Sequence, residues 1–216
     1  KAVAAQGKGQ LLISSVVGTI QDGFSQEDYF DDFAETARLA VSSGVKVIEI
    51  NLSCPNVANE GILCYSYDSV VSVCKKVKAA IGDIPLIAKL GYFAPEQQDL
   101  LEKIAIDTAP YLSGFSAINT IPAAIVDEDG NQLLPGEGRL KSGMCGASIK
   151  WAGLEMVGRL DALRKKHSLD FQIVGVGGVG SPADFSEYRN AGADVVQSVT
   201  AAMWNEKLAE EVKASL

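Results

Sequence analysis

Residues 44–56 of the chain read GVKVIEINLSCPN, and the change of character within this stretch decides how the rest of the sequence is interpreted. The first half is apolar and rich in β-branched residues, without alternation of polar positions, which is typical of a buried strand in a parallel sheet. Four polar or reactive side chains follow at once: Asn51, Ser53, Cys54 and Asn56. Polar residues after a strand are also explained by a simple turn, so the ends of the other strands are needed to decide whether these four residues belong to a site.

Five further apolar runs share the character of this strand, and helical patterns lie between them. One helix has a signal at each end, since Ser25 can cap its first turn and Gly44 can end it. Strand and helix alternate six times, which predicts a parallel α/β fold with right-handed crossovers. The predicted strands are 11–17, 45–50, 84–90, 114–119, 171–177 and 193–199. The other predicted helices are 68–81, 95–107, 150–166, 182–191 and 205–215.

Two architectures have this alternation, a doubly wound open sheet and an eight-stranded barrel. A complete barrel typically needs about 250 residues, whereas this chain has 216. In both architectures the carboxyl ends of the strands carry the chemistry. Five of the six predicted strands end in polar residues or glycine, which predicts a binding site along one edge of the sheet. These ends are residues 51–54, 89, 119–120, 175–178 and 198–200.

Two glycine-rich segments are candidates for binding a phosphate group. Residues 175–182 (GVGGVGSP) lie between a strand and a helix, where small residues let backbone N–H groups approach an anion. Their spacing also matches the dinucleotide pattern, but the segment follows the fifth strand and no acidic residue ends a strand about 20 positions on. Residues 142–148 (SGMCGAS) form the second candidate loop. The alternative is that these glycines merely permit tight turns. The polar segment 122–140 is expected to be a loop that covers the site or extends from the surface.

Lys89 ends an otherwise apolar strand, IPLIAKL at 84–90. A lysine buried there is costly without an anionic partner, which indicates a ligand or cofactor. The alternative is a side chain whose ammonium group reaches solvent at the mouth of the fold.

The composition predicts one cytoplasmic domain and does not exclude small anionic ligands. The chain is 47% hydrophobic, and its formal charge of −8 argues against a nucleic-acid or anionic-membrane surface. We expect no membrane span and no signal peptide. Four cysteines without paired ligand spacing and a lone histidine argue against a metal site. Cys74 falls on the apolar stripe of a helix and is expected in the core, and His167 is expected to have no catalytic role.

Six segments, in this order, resemble the FMN-dependent dihydroorotate dehydrogenases: EINLSCPN, IAKL, INT, GMCG, GVGG and VQSVTA. The resemblance extends from residue 11 to the carboxyl terminus. Within the family, the sequence is most similar to the class 1 members. It implies a TIM (β/α)8 barrel with FMN at the carboxyl ends of the strands, and oxidation of dihydroorotate to orotate in pyrimidine biosynthesis. About six of the eight strand–helix units match. We therefore expect residues 1–216 to form a single, N-terminally incomplete FMN-binding barrel domain.

The resemblance also implies roles for individual residues. Cys54 occupies the position of the base that removes a proton from C5 of the substrate while a hydride leaves C6 for flavin N5, which requires an environment that favours the thiolate. The implied cofactor-binding residues are Asn51, Lys89, Ile118, Gly146, Gly177, Gly178, Val199 and Thr200. The implied substrate-binding residues are Asn51, Asn56, Asn119 and Thr120.

Two other functions stay open. The related dihydropyrimidine dehydrogenases carry a catalytic cysteine in the loop after a similar motif, where this chain has Cys64, although Asn56 favours the dihydroorotate hypothesis. A non-catalytic barrel that binds FMN or phosphate is the third hypothesis. We expect a small-molecule substrate and a homo-oligomer. The electron acceptor and the role of Cys145 are not determined by the sequence.

Overall fold

The computed structural model describes residues 1–53 and 62–216. Six parallel strands form one sheet, and two antiparallel strands form a separate hairpin. The strands are β1 (Ile13–Val16), β2 (Val47–Asn51), β3 (Leu86–Leu90), β4 (Gly114–Ala117), β5 (Ile121–Ala124), β6 (Lys141–Met144), β7 (Gln172–Val176) and β8 (Val195–Gln197). All six predicted strands are confirmed.

The order of the strands decides between the two predicted architectures. The main sheet runs β1-β2-β3-β4-β7-β8, so each strand lies beside the next main-sheet strand along the chain. A doubly wound sheet would reverse its order at a switch point. The unbroken order is that of a (β/α) barrel, and it confirms a partial TIM barrel in which β1 and β8 form the edges of the described sheet.

Helices connect the strands as predicted. The predicted helix over 205–215 is confirmed as Leu208–Ala214, and a short helix that was not predicted, Thr200–Trp204, comes before it. Asn205 is extended and its side chain accepts a hydrogen bond from the Lys207 amide, which competes with continuous helix formation. The helices are α1 (Ala2–Ala5), α2 (Gln26–Ser42), α3 (Tyr67–Ile81), α4 (Gln98–Thr108), α5 (Lys150–His167), α6 (Pro182–Ala191), α7 (Thr200–Trp204) and α8 (Leu208–Ala214).

Local signals in the sequence account for the start of α2. Ser25 accepts a hydrogen bond from the Asp28 amide, and the Asp28 carboxylate accepts one from the Ser25 amide. This capping box satisfies two backbone donors at the end of the helix. Cys74 on α3 is fully buried, which confirms its predicted place in the core. No helix in the described parts of the chain is long and apolar enough to cross a membrane.

The two faces of the main sheet have different environments because alternate residues of a strand point to opposite sides. On β2, Ile48 and Ile50 belong to the large core between the sheet and the helices. Val47 lies on the inner face, in a small apolar cluster with Ile87 and Val174. The inner face becomes polar toward the carboxyl ends of the strands, which is where the candidate site lies.

The hairpin of β5 and β6 corrects two predictions. Residues 122–140 were expected to be a loop, and 142–148 a glycine loop, but Ile121–Ala124 pairs with Lys141–Met144. These strands are short, and β6 is largely exposed, so neither has the apolar pattern that predicts a strand. Only residues 145–149 remain as a tight turn into α5.

Candidate functional site

A cleft of about 460 Å³ opens where the carboxyl ends of β3, β4, β7 and β8 meet. Its volume lies within the range of small-molecule sites in proteins. Nine residues that were predicted to bind a cofactor or a substrate line it together: Lys89, Ile118, Asn119, Thr120, Gly146, Gly177, Gly178, Val199 and Thr200. The fold therefore brings segments more than 100 residues apart to one place, although their individual roles stay predictions.

Asn51 and Asn119 are joined beside the cleft by hydrogen bonds that orient both side chains. The Asn119 amide group donates to Asn51 Oδ1 at 3.1 Å and to the Ser53 carbonyl at 3.0 Å. Asn51 Oδ1 also accepts from the Ser53 amide, and Asn119 Oδ1 accepts from the Thr120 amide. Both amide hydrogens of Asn119 are thus used within the protein. Asn51 Nδ2 has no acceptor among the described residues and is available to a ligand.

Three carbonyl groups at the end of β7 and in the loop after it accept hydrogen bonds from within the protein. The carbonyl of Val176 accepts from the Ile118 amide, that of Gly177 from the Tyr188 hydroxyl, and that of Val179 from the Ser198 hydroxyl. Within residues 1–53 and 62–216, the amides of Gly177, Gly178 and Val179 make no hydrogen bond. A run of unpaired amides beside a cleft is an arrangement that binds anions.

The two glycine segments touch at Gly178. A Cβ atom there would lie 2.9 Å from the Gly146 carbonyl oxygen and 2.7 Å from Lys150 Cβ, and the residue has φ +67°. Only glycine meets both requirements. The turn before α5 and the loop before α6 therefore form one surface.

An ion pair holds the first turns of α5 and α6 together. Lys150 contacts Asp184 and lies 2.9 Å from Glu187. Asp184 also accepts from the Gly180 amide and the Ser181 hydroxyl. Burial alone would raise the pKa of Asp184, but Lys150 and these two donors together lower it. The sequence gives little warning of this pair because its members are 34 residues apart.

Lys89 lies in a polar part of the inner face. It is aligned with Asn51 on one neighbouring strand and with Ser116 on the other. Below Asn51, the buried Glu49 accepts from the Ser15 hydroxyl at 2.9 Å. Glu49 Oε2 and the Ser116 hydroxyl are buried without a hydrogen-bond partner among the described residues. Lys89 makes no ion pair within that part of the chain, so its charge is available to a ligand.

The cysteines that the structure describes have different environments. Cys54 and Asn56 lie outside the described residues. Cys64 is fully buried, accepts a weak hydrogen bond from the Gly91 amide, and has a pKa raised to about 12 by burial. Cys145 is exposed at the cleft, 3.7 Å from the Thr200 hydroxyl. Cys64 is not among the described residues that line the cleft.

The sequential parallel sheet and the cleft at its carboxyl edge define a (β/α)-barrel protein. A sequence model of the family described as dihydroorotate dehydrogenase matches residues 11–216. The chain belongs to the dihydroorotate dehydrogenase family.

Individual relatives agree with this assignment. Dihydroorotate dehydrogenase of Dictyostelium discoideum is 33% identical over 207 residues, covering 94% of this chain and 55% of the relative. Dihydroorotate dehydrogenase A (fumarate) of Limosilactobacillus reuteri is 33% identical, covering 87% and 56%. The catalytic subunit of dihydroorotate dehydrogenase B (NAD(+)) of Staphylococcus carnosus is 29% identical, covering 93% and 60%. The chain thus spans little more than half the length of these relatives.

A solved structure has the same fold. The dihydroorotate dehydrogenase of Eimeria tenella, in complex with ferulenol, superposes with a TM-score of 0.69 over 91% of this chain and 55% of that chain. The sequence identity is 18%, so this likeness supports the fold alone.

Proposed function

We propose that this chain forms the FMN-binding and substrate-binding cleft of a class 1-like dihydroorotate dehydrogenase. The single observation that carries the proposal is the loop after β7, in which carbonyls are bound to the protein and unpaired amides belong to residues that line a ligand-sized cleft. A phosphate group fits such a loop because its oxygens accept several N–H donors at once. The close approach at Gly178 leaves no space for a side chain there, which also agrees with a backbone cradle.

Each end of the cleft would hold a different part of FMN. Gly146, Gly177 and Gly178, with Val199 and Thr200, would surround the phosphate. Lys89 and Ile118 would lie beside the ring, where the lysine ammonium stabilises added negative charge. When bound, FMN supplies the acceptor for the hydride at its N5 atom. The fit agrees with the position of Lys89, which has no carboxylate partner among the described residues.

The polar side chains beside Lys89 would hold the substrate. Asn51 can donate its free amide hydrogens to a carbonyl or carboxylate oxygen, and Thr120 can contribute its hydroxyl group. Asn119 retains acceptor capacity only, so its main effect is to orient Asn51. Asn56 belongs to the same predicted set and lies outside the described residues.

Cys54 would be the base that takes the C5 proton. Ser53, the residue before it, is held on both sides, since its amide donates to Asn51 and its carbonyl accepts from Asn119. The backbone is therefore fixed at Ser53, directly before Cys54 in the sequence. The buried Cys64, with its raised pKa, is a poor candidate for the same role. The predicted single domain, homo-oligomeric state and cytoplasmic location stay predictions, as does the identity of the electron acceptor.

The first prediction tests cofactor and substrate together. The purified chain is titrated with FMN, and flavin fluorescence is expected to show one site; dihydroorotate added without oxygen is then expected to bleach the bound flavin. Cys54→Ser is expected to slow this reduction by about 100-fold or more, because a serine hydroxyl is a far weaker base. Cys64→Ser is the matched control and is expected to leave the rate of reduction unchanged.

Absence of FMN binding contradicts the cofactor assignment. Binding without bleaching contradicts the substrate, and slow reduction only in Cys64→Ser favours a dihydropyrimidine dehydrogenase-like enzyme.

A further inference from the structure

We infer that Tyr188 is a positioning residue for the phosphate end of the cleft, an inference that rests on the proposed FMN site. Tyr188 lies on α6 and is fully buried. Its hydroxyl donates a 2.7 Å hydrogen bond to the carbonyl oxygen of Gly177, in the loop after β7. Tyr188 itself does not line the cleft. It would act through the peptide group that it holds.

The path of this side chain is kept open by two glycines on other elements. A Cβ atom at Gly153 of α5 would lie 2.0 Å from the Tyr188 hydroxyl oxygen, and one at Gly175 of β7 would lie 2.4 Å from the ring. Such distances are too short for any real contact. Helix and strand therefore both lack side chains where the tyrosine passes between them. A phenylalanine would fill the same channel, so packing alone does not require the hydroxyl group.

The hydrogen bond sets the direction of the next amide. The bond between Gly177 and Gly178 is trans, and in a trans peptide the C=O and N–H groups point in opposite directions. Because the Gly177 carbonyl points to Tyr188, the Gly178 N–H points away from it. Both glycines line the cleft, and the Gly178 amide has no acceptor among the described residues. The tyrosine thus directs a free donor to where the phosphate would lie.

Two consecutive glycines need such a restraint. Gly177 has φ +134° and Gly178 has φ +67°, and glycine moves between backbone regions with little penalty. Rotation of the peptide between them would place a carbonyl oxygen, instead of an N–H, toward the anion. Burial raises the pKa of Tyr188, so the hydroxyl keeps its proton and remains a donor.

The test compares FMN with riboflavin, which has the same ring but no phosphate. Tyr188→Phe keeps the ring and removes only the hydroxyl. In the full chain, we expect its FMN affinity to fall about tenfold, which corresponds to one hydrogen bond, and its riboflavin affinity to stay unchanged. Fluorescence titration of both flavins measures the ratio of the two affinities.

Tyr65→Phe is the matched control. The Tyr65 hydroxyl also donates a 2.7 Å hydrogen bond to a backbone carbonyl, that of Tyr92, and Tyr65 does not line the cleft. Its removal should leave the FMN-to-riboflavin ratio unchanged. Equal losses of FMN and riboflavin affinity in Tyr188→Phe, or no loss of either, would overturn the inference.

A second readout separates this inference from the proposed function. If the wild-type chain binds no FMN, the proposed function fails, and inorganic phosphate then tests Tyr188 by itself. The NMR signal of the Gly178 amide is expected to shift with phosphate in the wild-type chain and to shift much less in Tyr188→Phe. Identical responses, or none in either protein, would contradict a positioning role.

Discussion

At the scale of single residues, the amide group of Asn119 acts on the candidate site by orienting the side chain of Asn51. Asn119 uses both of its amide hydrogens on Asn51 and Ser53. The bond to Oδ1 of Asn51 determines which end of the Asn51 amide faces outward. Asn51 is therefore presented as a donor, which is the orientation that the proposed binding of carbonyl and carboxylate oxygens would need.

Asn119→Asp tests this relation because it keeps the shape and replaces the donor by an acceptor. Two hydrogen bonds are lost, and oxygen atoms then face each other, so we expect orotate to bind the FMN-loaded chain about 30-fold more weakly. The measurement is the orotate-induced change in the flavin spectrum. Asn131→Asp makes the same charge change on the exposed loop of the hairpin and is the control. Equal affinities of the two variants would contradict the role of Asn119.

At the scale of elements, the helices α5 and α6 begin as a pair beside the proposed phosphate end of the cleft. Each begins beside a glycine segment, and Lys150 on one contacts Asp184 and Glu187 on the other. Asp184 also accepts hydrogen bonds from the Gly180 amide and from the hydroxyl of Ser181, the N-cap residue of α6. One carboxylate thus holds a helix start and an interhelical contact at the same time.

The pH dependence of stability tests the contribution of Asp184. Its pKa in the folded chain lies below the ordinary value of 3.8. The ionised carboxylate therefore stabilises the fold at pH values above about 4, and this stabilisation is lost as the pH falls through the lowered pKa. We expect Asp184→Asn to reduce the free energy of unfolding by about 1–2 kcal/mol at neutral pH, and the difference from wild type to shrink near pH 3.

Urea denaturation at several pH values measures this difference. Asp129→Asn, a change at an exposed carboxylate on the hairpin loop, is the control and is expected to show no such pH-dependent difference. A constant difference for Asp184→Asn from neutral to acid pH would contradict the assignment of the effect to its charge.

At the scale of the whole molecule, one end of the sheet carries the candidate site and the other end contributes to stability. The carboxyl ends of the strands hold the cleft, whereas Arg164 joins elements near the amino ends of β7 and β8. Its guanidinium group contacts Asp161 and Asp194 and the carbonyl oxygens of Phe171 and Gly192. It connects α5 to the segments that enter two neighbouring strands, so it contributes to stability away from the site.

Arg164→Met is expected to separate stability from binding. Removing the guanidinium leaves Asp161 and Asp194 without a shared partner, and we expect a loss of about 3 kcal/mol in the free energy of unfolding. The FMN affinity of the folded chain should stay within about twofold of wild type, a difference of under about 0.5 kcal/mol. Arg38→Met removes an exposed pair with Glu35 and should change neither quantity noticeably. A large loss of FMN affinity in Arg164→Met would contradict the division between the two ends.

Much of the fold follows from local patterns in the sequence. The six main strands are continuous apolar runs, and α2 has both a capping box and a glycine after its end. The members of the cleft were also predictable, because the ends of parallel strands meet at one edge whatever the detailed geometry. The hairpin was not predictable in this way, since its strands are short and partly exposed, and are held by pairing with each other.

The sequence by itself determined the elements, the polar character of their carboxyl ends, and the residues that gather there. Only the tertiary structure decided that the strands follow one another around a barrel, because sheet order depends on hydrogen bonds between distant segments. It alone decided that Asn119 orients Asn51, that Lys150 meets Asp184, and that Tyr188 passes Gly153 and Gly175 to reach Gly177. These contacts depend on the direction of side chains and peptide groups in three dimensions, which no local pattern of residue types encodes.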